Sequence, residues 1–329
     1  MSSLSFENII LPIRDHLNSV NSVIMQSLKS EIPIINQIST HIINGKGKKM
    51  RPVLHLLLSG LKGNISNKHY EAASIIELIH TATLLHDDVV DQSMTRRNSK
   101  TANAIFGNAA SVLVGDFIYS RSFQMMVEIN DMQIMKVLAD ATNKISEGEV
   151  LQLLNSHNPD ISEEHYFKVI EFKTAQLFEA CGSIAGLINN LNKKTIQAYA
   201  RIGNHFGLIY QIADDILDYS GKPNEIGKNV GDDLSEGKVT LPLIYTIQKS
   251  NKNQKEMIKN SIKTGDISKL PDIIQIMEEN NIVKEVKVSA EKHIMEIKKI
   301  LDELGPHENR SEEHTSELQS RVDLVCRLL

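Results

Sequence analysis

The sequence predicts an all-α fold, and three observations support this prediction. Apolar residues recur at intervals of three and four positions along most of the chain, as they do on the buried face of a helix. Proline is scarce, at 8 of 329 residues. The β-branched residues do not form the alternating runs that mark half-buried strands. Because a chain of this length can bury a large core, we expect a large helical bundle.

The helical pattern falls into stretches that are separated by turn signals. The stretch from Ile75 to Val89 is apolar over more than half of a helical circumference, which predicts a helix buried inside the bundle. Ser66 or Asn67 can cap the start of this helix. The predicted helices span residues 6–29, 33–44, 51–61, 67–92, 108–129, 132–155, 162–190, 193–219, 239–249, 253–264 and 282–304.

Three breaks interrupt these helices, namely Gly45-Lys46-Gly47, Asn155 to Pro159, and Gly221 to Gly237. The last break is long and rich in Gly, Lys and Asp, and a loop of that length inside a compact domain is usually functional. No stretch before residue 305 has the composition of a linker. Residues 1–309 are therefore expected to form one helical domain.

The C-terminal segment, residues 310–329, differs from the rest of the chain. It is polar and poor in apolar periodicity, and the stretch from Arg310 to Ser320 resembles the translation of a common sequencing adapter. We expect this segment to be a foreign tail that has replaced a natural C-terminal helix, and we exclude it from functional reasoning. The loss of a packing helix predicts a less stable fold.

The composition excludes several classes of protein. The net charge of −5 provides no basic excess for coating nucleic acid. Two cysteines, Cys181 and Cys326, make neither a disulfide framework nor a zinc site, so a reducing, cytoplasmic setting is expected. The N-terminus lacks the pattern of a signal peptide, and no apolar run reaches the roughly 20 residues that span a bilayer. Contact with a membrane surface stays open.

The first acidic motif is Asp87-Asp88-Val-Val-Asp91. Asp87 and Asp91 are four positions apart, so they share one face of a helix. Carboxylates one turn apart repel each other unless a cation lies between them, and Mg²⁺ prefers such oxygen ligands together with waters and substrate phosphates. A single cluster of this kind is equally consistent with a solvated helix end.

The second acidic motif, Asp214-Asp215-Ile-Leu-Asp218, repeats this spacing inside another strongly apolar helix. Carboxylates in an apolar helix are costly without compensating cations. Two such helices facing each other across a bundle could hold a cluster of metal ions. The repeated spacing therefore favours a metal site over two coincidental acidic turns.

Basic residues lie close to both motifs in the sequence, which suggests a polyanionic ligand. We regard Lys46 and Lys49 as solvated surface charges. His80 lies two turns before Asp87 on the same face, and it is as consistent with a core histidine as with a ligand contact. Gln211 shares the face of Asp214 and Asp218. The other candidates are Lys48, Arg51, Arg96, Arg97, Lys173, Thr174, Lys228 and Lys238.

Taken together, these motifs resemble the trans-isoprenyl (polyprenyl) diphosphate synthases, and most closely their long-chain, octaprenyl-type branch. The similarity extends from about residue 6 to about residue 300, nearly the whole chain. It rests on Gly47 to Pro52, Glu77 to Asp91, Arg96-Arg97, Phe172 to Ala175, Gly207 to Asp218, Gly227 to Lys238, and Thr240-Leu-Pro-Leu.

The resemblance implies a helical bundle of the isoprenoid synthase type, with both acidic motifs at the mouth of a central apolar cavity. It implies two or three Mg²⁺ ions, held by Asp87, Asp91 and Asp214, that bind an allylic diphosphate. Further contacts to that substrate are implied for Arg96, Lys173, Thr174, Gln211 and Lys238. Lys48, Arg51, His80 and Arg97 are implied to bind isopentenyl diphosphate, and the family is usually homodimeric.

The length of the product should depend on the depth of the cavity. Short-chain members of the family carry bulky aromatic residues one turn before the first acidic motif, where this chain has Ala82 and Thr83. Met125, Met126 or residues near Leu138 could form the floor. The resemblance therefore implies a long product of about C35 to C45, such as an octaprenyl diphosphate for a respiratory quinone. Ala82 is also explained by a tight helix crossing.

Other readings stay open. A short-chain synthase making C15 to C20 products would keep the chemistry with a shallower cavity. A head-to-head condensing enzyme or a cyclase would share the acidic helices and the metal chemistry, but a cyclase lacks the second diphosphate site. A non-catalytic subunit of a heteromeric synthase would tend to lose the Asp motifs. A metal phosphohydrolase that uses His86 and Asp87 would leave the second motif unexplained.

Overall fold

A computed structural model describes residues 6–43, 45, 47–96, 99–220 and 230–305, and these residues are almost entirely helical. The all-α prediction is confirmed. The predicted foreign tail, Arg97, Lys228 and Lys46 lie outside the described residues. The longer helices are α2 (Arg14–Ser27), α3 (Pro33–Ile43), α4 (Met50–Ser59), α5 (Asn67–Val90), α7 (Asn108–Ile129), α8 (Met132–Asn155), α10 (Gln176–Ile188), α11 (Lys193–Ser220), α14 (Lys252–Thr264), α15 (Leu270–Glu279) and α16 (Ile282–Leu304).

Shorter elements connect these helices. A two-stranded antiparallel hairpin follows α5, with β1 (Thr95–Arg96) paired to β2 (Ser99–Lys100). A π-helix (Glu171–Ala175) lies between α9 and α10. The remaining short helices are α1 (Phe6–Ile10), α6 (Ala102–Phe106), α9 (Glu163–Ile170), α12 (Asp232–Ser235) and α13 (Leu241–Lys249).

Contacts between residues divide the chain into two compact units. The first unit contains the residues up to Thr142 together with Leu177–Gly203. The second unit contains Asn143–Gln176 and Asn204–Glu303. The expectation of one domain over residues 1–309 stays a prediction.

Helix α5 is the centre of the first unit, where it packs along α7 and against α2 and α4. Ser66 is its N-cap, as one of the two predicted caps, and the Ser66 backbone N–H donates to Nδ1 of His69. Ile75, Ile76 and Leu85 are completely buried, which agrees with the predicted helix that is apolar on most sides. This packing fixes the direction of the acidic motif at the end of α5.

Helices α10 and α11 cross closely in the first unit, at two glycines. A Cβ on Gly182 would collide with the backbone carbonyl of Tyr199, and a Cβ on Gly203 would collide with that of Phe178. Each glycine therefore lets one helix backbone approach the other more closely than any larger residue would allow.

The core of the second unit lies beside the second acidic motif. Ile212 and Ile216 of α11 pack with Tyr166 of α9 and with apolar side chains of α13 to α16. Leu243 and Ile273 are completely buried in this cluster. The acidic motif of α11 therefore lies on the rim of a packed core.

Several predicted elements differ from the structure. The predicted helix 6–29 is divided by a 3₁₀ turn (Leu11–Ile13), because Pro12 lacks the backbone donor that a continuous helix needs. The predicted helix 162–190 contains the π-helix, and the hairpin and α15 were not predicted. Pro271 in the first turn of α15 and Asp272 after it are ordinary signals of a helix start. Across the described residues, no helix is long and apolar enough to cross a bilayer.

Candidate active site

The first acidic motif lies at the C-terminal end of α5. Asp87 and Asp91 are half-buried, and the Asp91 backbone N–H donates to the Asp87 carbonyl at 2.8 Å, which continues the helical geometry through the motif. The C-terminal end of a helix carries partial negative charge, so carboxylates there are unfavourable without a cation. This arrangement is therefore suited to binding positive charge.

Asp88 differs from its two neighbours in the motif. It is 3% exposed, and its Oδ1 accepts hydrogen bonds from Nε and Nη2 of Arg96, each at 2.9 Å. Burial raises the pKa of the Asp88 carboxyl, and the charge of Arg96 opposes that shift. Asp88 thus fixes the position of Arg96 on the hairpin, while Asp87 and Asp91 remain accessible.

A cavity of about 700 Å³ lies beside this ion pair within the first unit. Its wall includes Leu84 and Asp88 of α5, His41 of α3, and Arg96 and Lys100 of the hairpin. The imidazole Nε2 of His41 lies 2.8 Å from the Lys100 carbonyl, which connects α3 to the hairpin. The Arg96 guanidinium is therefore partly exposed in a cavity with room for a small polar ligand.

The predicted isopentenyl diphosphate residues of the first unit occupy different environments. Lys48 is exposed, and its Nζ lies 5.7 Å from the centre of the Phe6 ring. Arg51 is 8% exposed and stacks over the Phe178 ring at 4.5 Å. His80 is half-buried on α5, and Arg97 lies outside the described residues. Arg51 is therefore held rigidly, in the way that a preorganised anion contact would require.

Lys49 was treated above as a solvated charge, but the structure places it differently. It is half-buried with a left-handed φ of 47°, and its Nζ donates to Oδ1 of Asn21. Burial lowers the pKa of its amine, and the nearby Glu77 carboxylate opposes that shift. Lys49 therefore fixes the chain direction at the start of α4.

The second acidic motif resembles the first, because one aspartate is accessible and the next is buried. Asp214 is exposed, whereas Asp215 is 2% exposed and accepts hydrogen bonds from Tyr166 Oη at 2.6 Å and Gln211 Nε2 at 2.8 Å. Burial raises the pKa of Asp215 to about 8, and the neighbouring Asp233 acts in the same direction. Asp218 is also buried.

Thr174 and Gln211 are joined to Asp215 in a chain of hydrogen bonds. Thr174 Oγ1 donates to Gln211 Oε1 at 2.8 Å, and Gln211 in turn donates to Asp215. Since the Thr174 hydroxyl already donates its hydrogen bond to Gln211, it can offer a ligand only an oxygen lone pair. These hydrogen bonds thereby fix which group donates and which accepts at Thr174 and at Gln211.

Lys173 lies in the π-helix and is held by α8. Its Nζ donates to Glu149 Oε2 and to Gln152 Oε1, both at 2.6 Å. A Cβ on Gly148 would lie 2.7 Å from the backbone nitrogen of Lys173, so this glycine allows α8 to approach the π-helix. Single π-turns inside helices are frequent at functional sites.

Lys238 follows α12 in a tight turn. Its backbone N–H donates to the Asp233 carbonyl at 2.8 Å, and its Nζ lies 2.5 Å from Glu236 Oε2. The Asp233 backbone N–H lies 3.4 Å from Oδ2 of Asp218, which places this turn beside the second acidic motif. Lys228 lies outside the described residues.

The residues expected to control chain length are all in the first unit. Ala82 is 1% exposed on α5, and Thr83 is half-buried, with its hydroxyl donating to the His80 carbonyl at 2.8 Å. Met125 and Met126 are buried on α7. Their effect on product length stays a prediction.

Three residues that hold the site were missed from the sequence. Glu149 and Gln152 are three positions apart on α8, a spacing that places both on one helical face, and Gly148 beside them was a signal of close approach. Tyr166 gave no signal, because nothing in its local sequence indicates a partner 49 positions away.

The carboxylates fit a magnesium ion that is shared with a phosphate ligand. Within the described part of the chain, no three His, Cys, Asp or Glu side chains are grouped to hold a metal ion by themselves. Mg²⁺ commonly takes one or two protein carboxylates and completes its shell with waters and substrate phosphates. Asp87 and Asp91, one turn apart and accessible, are such a pair.

Comparisons with known proteins place the chain in a family. The sequence model of the polyprenyl synthetase family matches residues 32–279. The octaprenyl diphosphate synthase of Escherichia coli (strain K12) is 47% identical over 247 residues, which cover 75% of this chain and 76% of that relative. The octaprenyl diphosphate synthase of Haemophilus influenzae is 43% identical over 265 residues, which cover 80% of each chain.

A solved structure shares the fold over nearly the whole chain. The polyprenyl synthase from Caulobacter crescentus CB15, complexed with calcium and isoprenyl diphosphate, is 33% identical to this chain with a TM-score of 0.92. The similarity covers 99% of this chain and 98% of that chain. The resemblance inferred from the motifs is thus confirmed: this chain belongs to the polyprenyl synthetase family and is a prenyltransferase.

Proposed function

We propose that this enzyme extends an allylic diphosphate, such as farnesyl diphosphate, by successive additions of isopentenyl diphosphate. The product is a long all-trans polyprenyl diphosphate of about C35 to C45, with octaprenyl diphosphate as the best single candidate. The observation that carries the proposal is the pair of acidic motifs, each with an accessible first aspartate and a buried second one. The high identity to octaprenyl diphosphate synthases supports the product class.

Asp87, Asp91 and Asp214 would hold the Mg²⁺ ions. Bound Mg²⁺ neutralises charge on the diphosphate leaving group and so favours cleavage of the allylic C–O bond. Arg96 and Lys238 would contact the same diphosphate, and Lys173 would join them from the π-helix. Because Asp88 holds Arg96 and Glu149 holds Lys173, these cations are already positioned before the substrate binds.

Isopentenyl diphosphate would bind to Lys48, Arg51, His80 and Arg97. Arg51 suits this role because its side chain is already held against Phe178. Its guanidinium can present two parallel donors to a phosphate, which a lysine cannot.

The developing allylic cation would lie beside the oxygens of Thr174 and Gln211. The lone pairs of the Thr174 hydroxyl are directed away from the proton that it donates to Gln211, so they can stabilise positive charge. A dry pocket would then let the isopentenyl double bond reach the cation before water does. The released diphosphate is the base that we propose for the final proton.

The biological setting follows from the proposed product. A polyprenyl chain of this length serves as the side chain of a respiratory quinone, and we propose a cytoplasmic enzyme that meets the membrane surface only to release product.

A homodimer is also proposed. Helix α7 supports it, because Leu113 and Val127 lie on one face with exposures of 66% and 63%, and Val112 and Phe123 lie on the same face.

Product analysis tests the main proposal. Purified enzyme is incubated with Mg²⁺, farnesyl diphosphate and labelled isopentenyl diphosphate, and the dephosphorylated products are separated by chromatography. A ladder ending near about C40 supports the long-chain proposal. A product that stops at C15 or C20 would identify a short-chain synthase and overturn the proposed chain length.

If no product forms, a second experiment is needed, because residues 310–329 are expected to replace a natural helix. The assay is repeated with a family-like C-terminal helix in place of residues 310–329. Activity that returns would assign the failure to the tail. Continued inactivity of a folded chain would favour a non-catalytic subunit and contradict the proposal.

A further inference from the structure

His157 occupies an unusual position between three segments of the second unit. It follows α8 with a left-handed φ of 62° and lies against the turn that carries Lys238. Its backbone N–H donates to the Gly237 carbonyl at 2.8 Å. Its Nδ1 lies 3.0 Å from the Ile262 carbonyl, and because a carbonyl only accepts, Nδ1 carries the proton.

The imidazole of His157 fills space that Gly237 leaves open. A Cβ on Gly237 would collide with the His157 ring, whereas a Cβ on Gly265 would be in ordinary contact, 3.6 Å from its Cε1. Both glycines have positive φ, of 68° and 66°. The ring therefore fits between the turn after α12 and the C-terminal end of α14, at positions where larger residues would be strained.

The consequence concerns Lys238, the residue directly after Gly237. The Gly237 backbone N–H donates to the Leu234 carbonyl and the Lys238 N–H to the Asp233 carbonyl, so the turn is closed from one side by α12. His157 closes it from the other side through the Gly237 carbonyl and by ring packing. Helix α12 and His157 together therefore fix the direction in which the backbone leaves the turn at Lys238.

We propose that His157 is a positioning residue for Lys238 and, through it, for the diphosphate of the allylic substrate. This inference rests on the proposed function, which assigns Lys238 to that diphosphate. His157 does not touch the substrate. Its loss should therefore weaken allylic substrate binding while leaving the isopentenyl diphosphate site intact.

The test compares His157→Ala, His157→Asn, Lys238→Ala and the double variant His157→Ala/Lys238→Ala. Asn tolerates a left-handed φ, and its amide can donate to the Ile262 carbonyl, so it is the conservative replacement. His165→Ala, which removes an exposed histidine of α9, is the control. Each variant is assayed for kcat and for the KM of farnesyl diphosphate and of isopentenyl diphosphate, with urea unfolding as a check of the fold.

We expect His157→Ala to raise the KM of farnesyl diphosphate by about tenfold with an unchanged KM for isopentenyl diphosphate, and His157→Asn to restore most of the loss. The double variant should differ from Lys238→Ala by less than about twofold, because the two residues act through one contact. The His165 control should match the wild type.

Three results would overturn the inference: additive effects in the double variant, a KM increase shared by both substrates, or a His157→Ala enzyme that loses only stability. An active wild type with an unimpaired Lys238→Ala variant would overturn it as well. A wild type without any prenyl transfer, in a folded chain with its C-terminal helix restored, would instead contradict the proposed function, so the two failures are distinguishable.

Discussion

Asp88 and Asp215 occupy the same place in the two acidic motifs, and the structure gives them the same task. Each is buried and bound by neighbouring donors, Arg96 in one case and Tyr166 with Gln211 in the other. The first aspartate of each motif is more accessible. The spacing of the aspartates predicted a metal site at each motif. Because the side chains are identical, the sequence offered no means to tell which aspartate would be buried. That difference is decided by partners distant in the sequence.

At the scale of single residues, Ala82 should limit product length when it is enlarged. Ala82→Phe places an aromatic ring one turn before Asp87, and we expect the main product to fall below about C25. Met132→Phe, which adds an aromatic residue at an exposed position of α8, is the control and should keep the wild-type product length. Chromatography of dephosphorylated products measures both, and an unchanged ladder in Ala82→Phe would contradict the cavity argument.

A buried histidine should make folding stability depend on pH. His55 donates from Nδ1 to the Cys181 carbonyl, and burial lowers the pKa of its imidazole from 6.5 to about 3. The unfolded chain takes up this proton near pH 6.5 and the folded chain does not, so stability falls as the pH decreases through this window. The expected loss is up to about 1.4 kcal/mol per pH unit for each such histidine.

His55→Asn tests this expectation, because its amide can keep the hydrogen bond to Cys181 without titrating. Urea unfolding at pH 7 and pH 5 should show a decrease in stability that is smaller in His55→Asn than in the wild type, by about 2 kcal/mol. His69, whose pKa burial lowers to about 4, should keep part of the dependence in both chains. Equal pH dependence in the two proteins would refute the assignment.

At the scale of elements, helix existence was predictable and helix irregularity was not. The periodic pattern located α5, α7, α8 and α11, because long buried faces leave a strong signal in the sequence. The π-helix left no such signal, since it needs neither proline nor glycine within its own residues. The hairpin that carries Arg96 is only two residues on each strand and has no alternating pattern to detect.

The close crossing of α10 and α11 gives a prediction about an element. Gly182→Ala places a methyl group against the Tyr199 carbonyl, so the helices must separate, and we expect a loss of about 2–4 kcal/mol in the free energy of unfolding. Gly60→Ala is the control, because the nearest atom to its Cβ would be 3.5 Å away. A Gly182→Ala protein as stable as Gly60→Ala in urea would show that the crossing can relax.

At the scale of the whole molecule, the sequence predicted an all-α chain of this family, and both conclusions are confirmed. It did not predict that contacts would divide the chain into two units, because each unit combines segments distant in the sequence. The residues proposed for the site could be selected as a group, since Asp, Arg and Lys cluster in recognisable motifs, and their roles stay a prediction. Their hydrogen-bond partners were not predictable, because Tyr166 and Glu149 become neighbours of the site only in the folded chain.

The exposed face of α7 predicts the assembly state. If two copies pair through this face, Leu113→Glu with Val127→Glu should convert a dimer to a monomer, since like charges would be buried at the contact. Light scattering coupled to size-exclusion chromatography measures the mass. Ile267→Lys, on an exposed apolar residue outside α7, is the control. A wild type that elutes as a monomer at micromolar concentration would contradict the proposal.

The π-helix also limits where the length of this chain can change. It accommodates one residue beyond the regular helical repeat, so deleting a single residue within Glu171–Ala175 would let the helix return to ordinary α geometry. That change should favour folding and leave the flanking helices in register, but it would remove or redirect the side chains within the turn itself. Lys173 would lose Glu149, or Thr174 would lose Gln211. Changes of length should therefore be tolerated better in the connecting loops than within Glu171–Ala175, where the less regular helix positions Lys173 and Thr174.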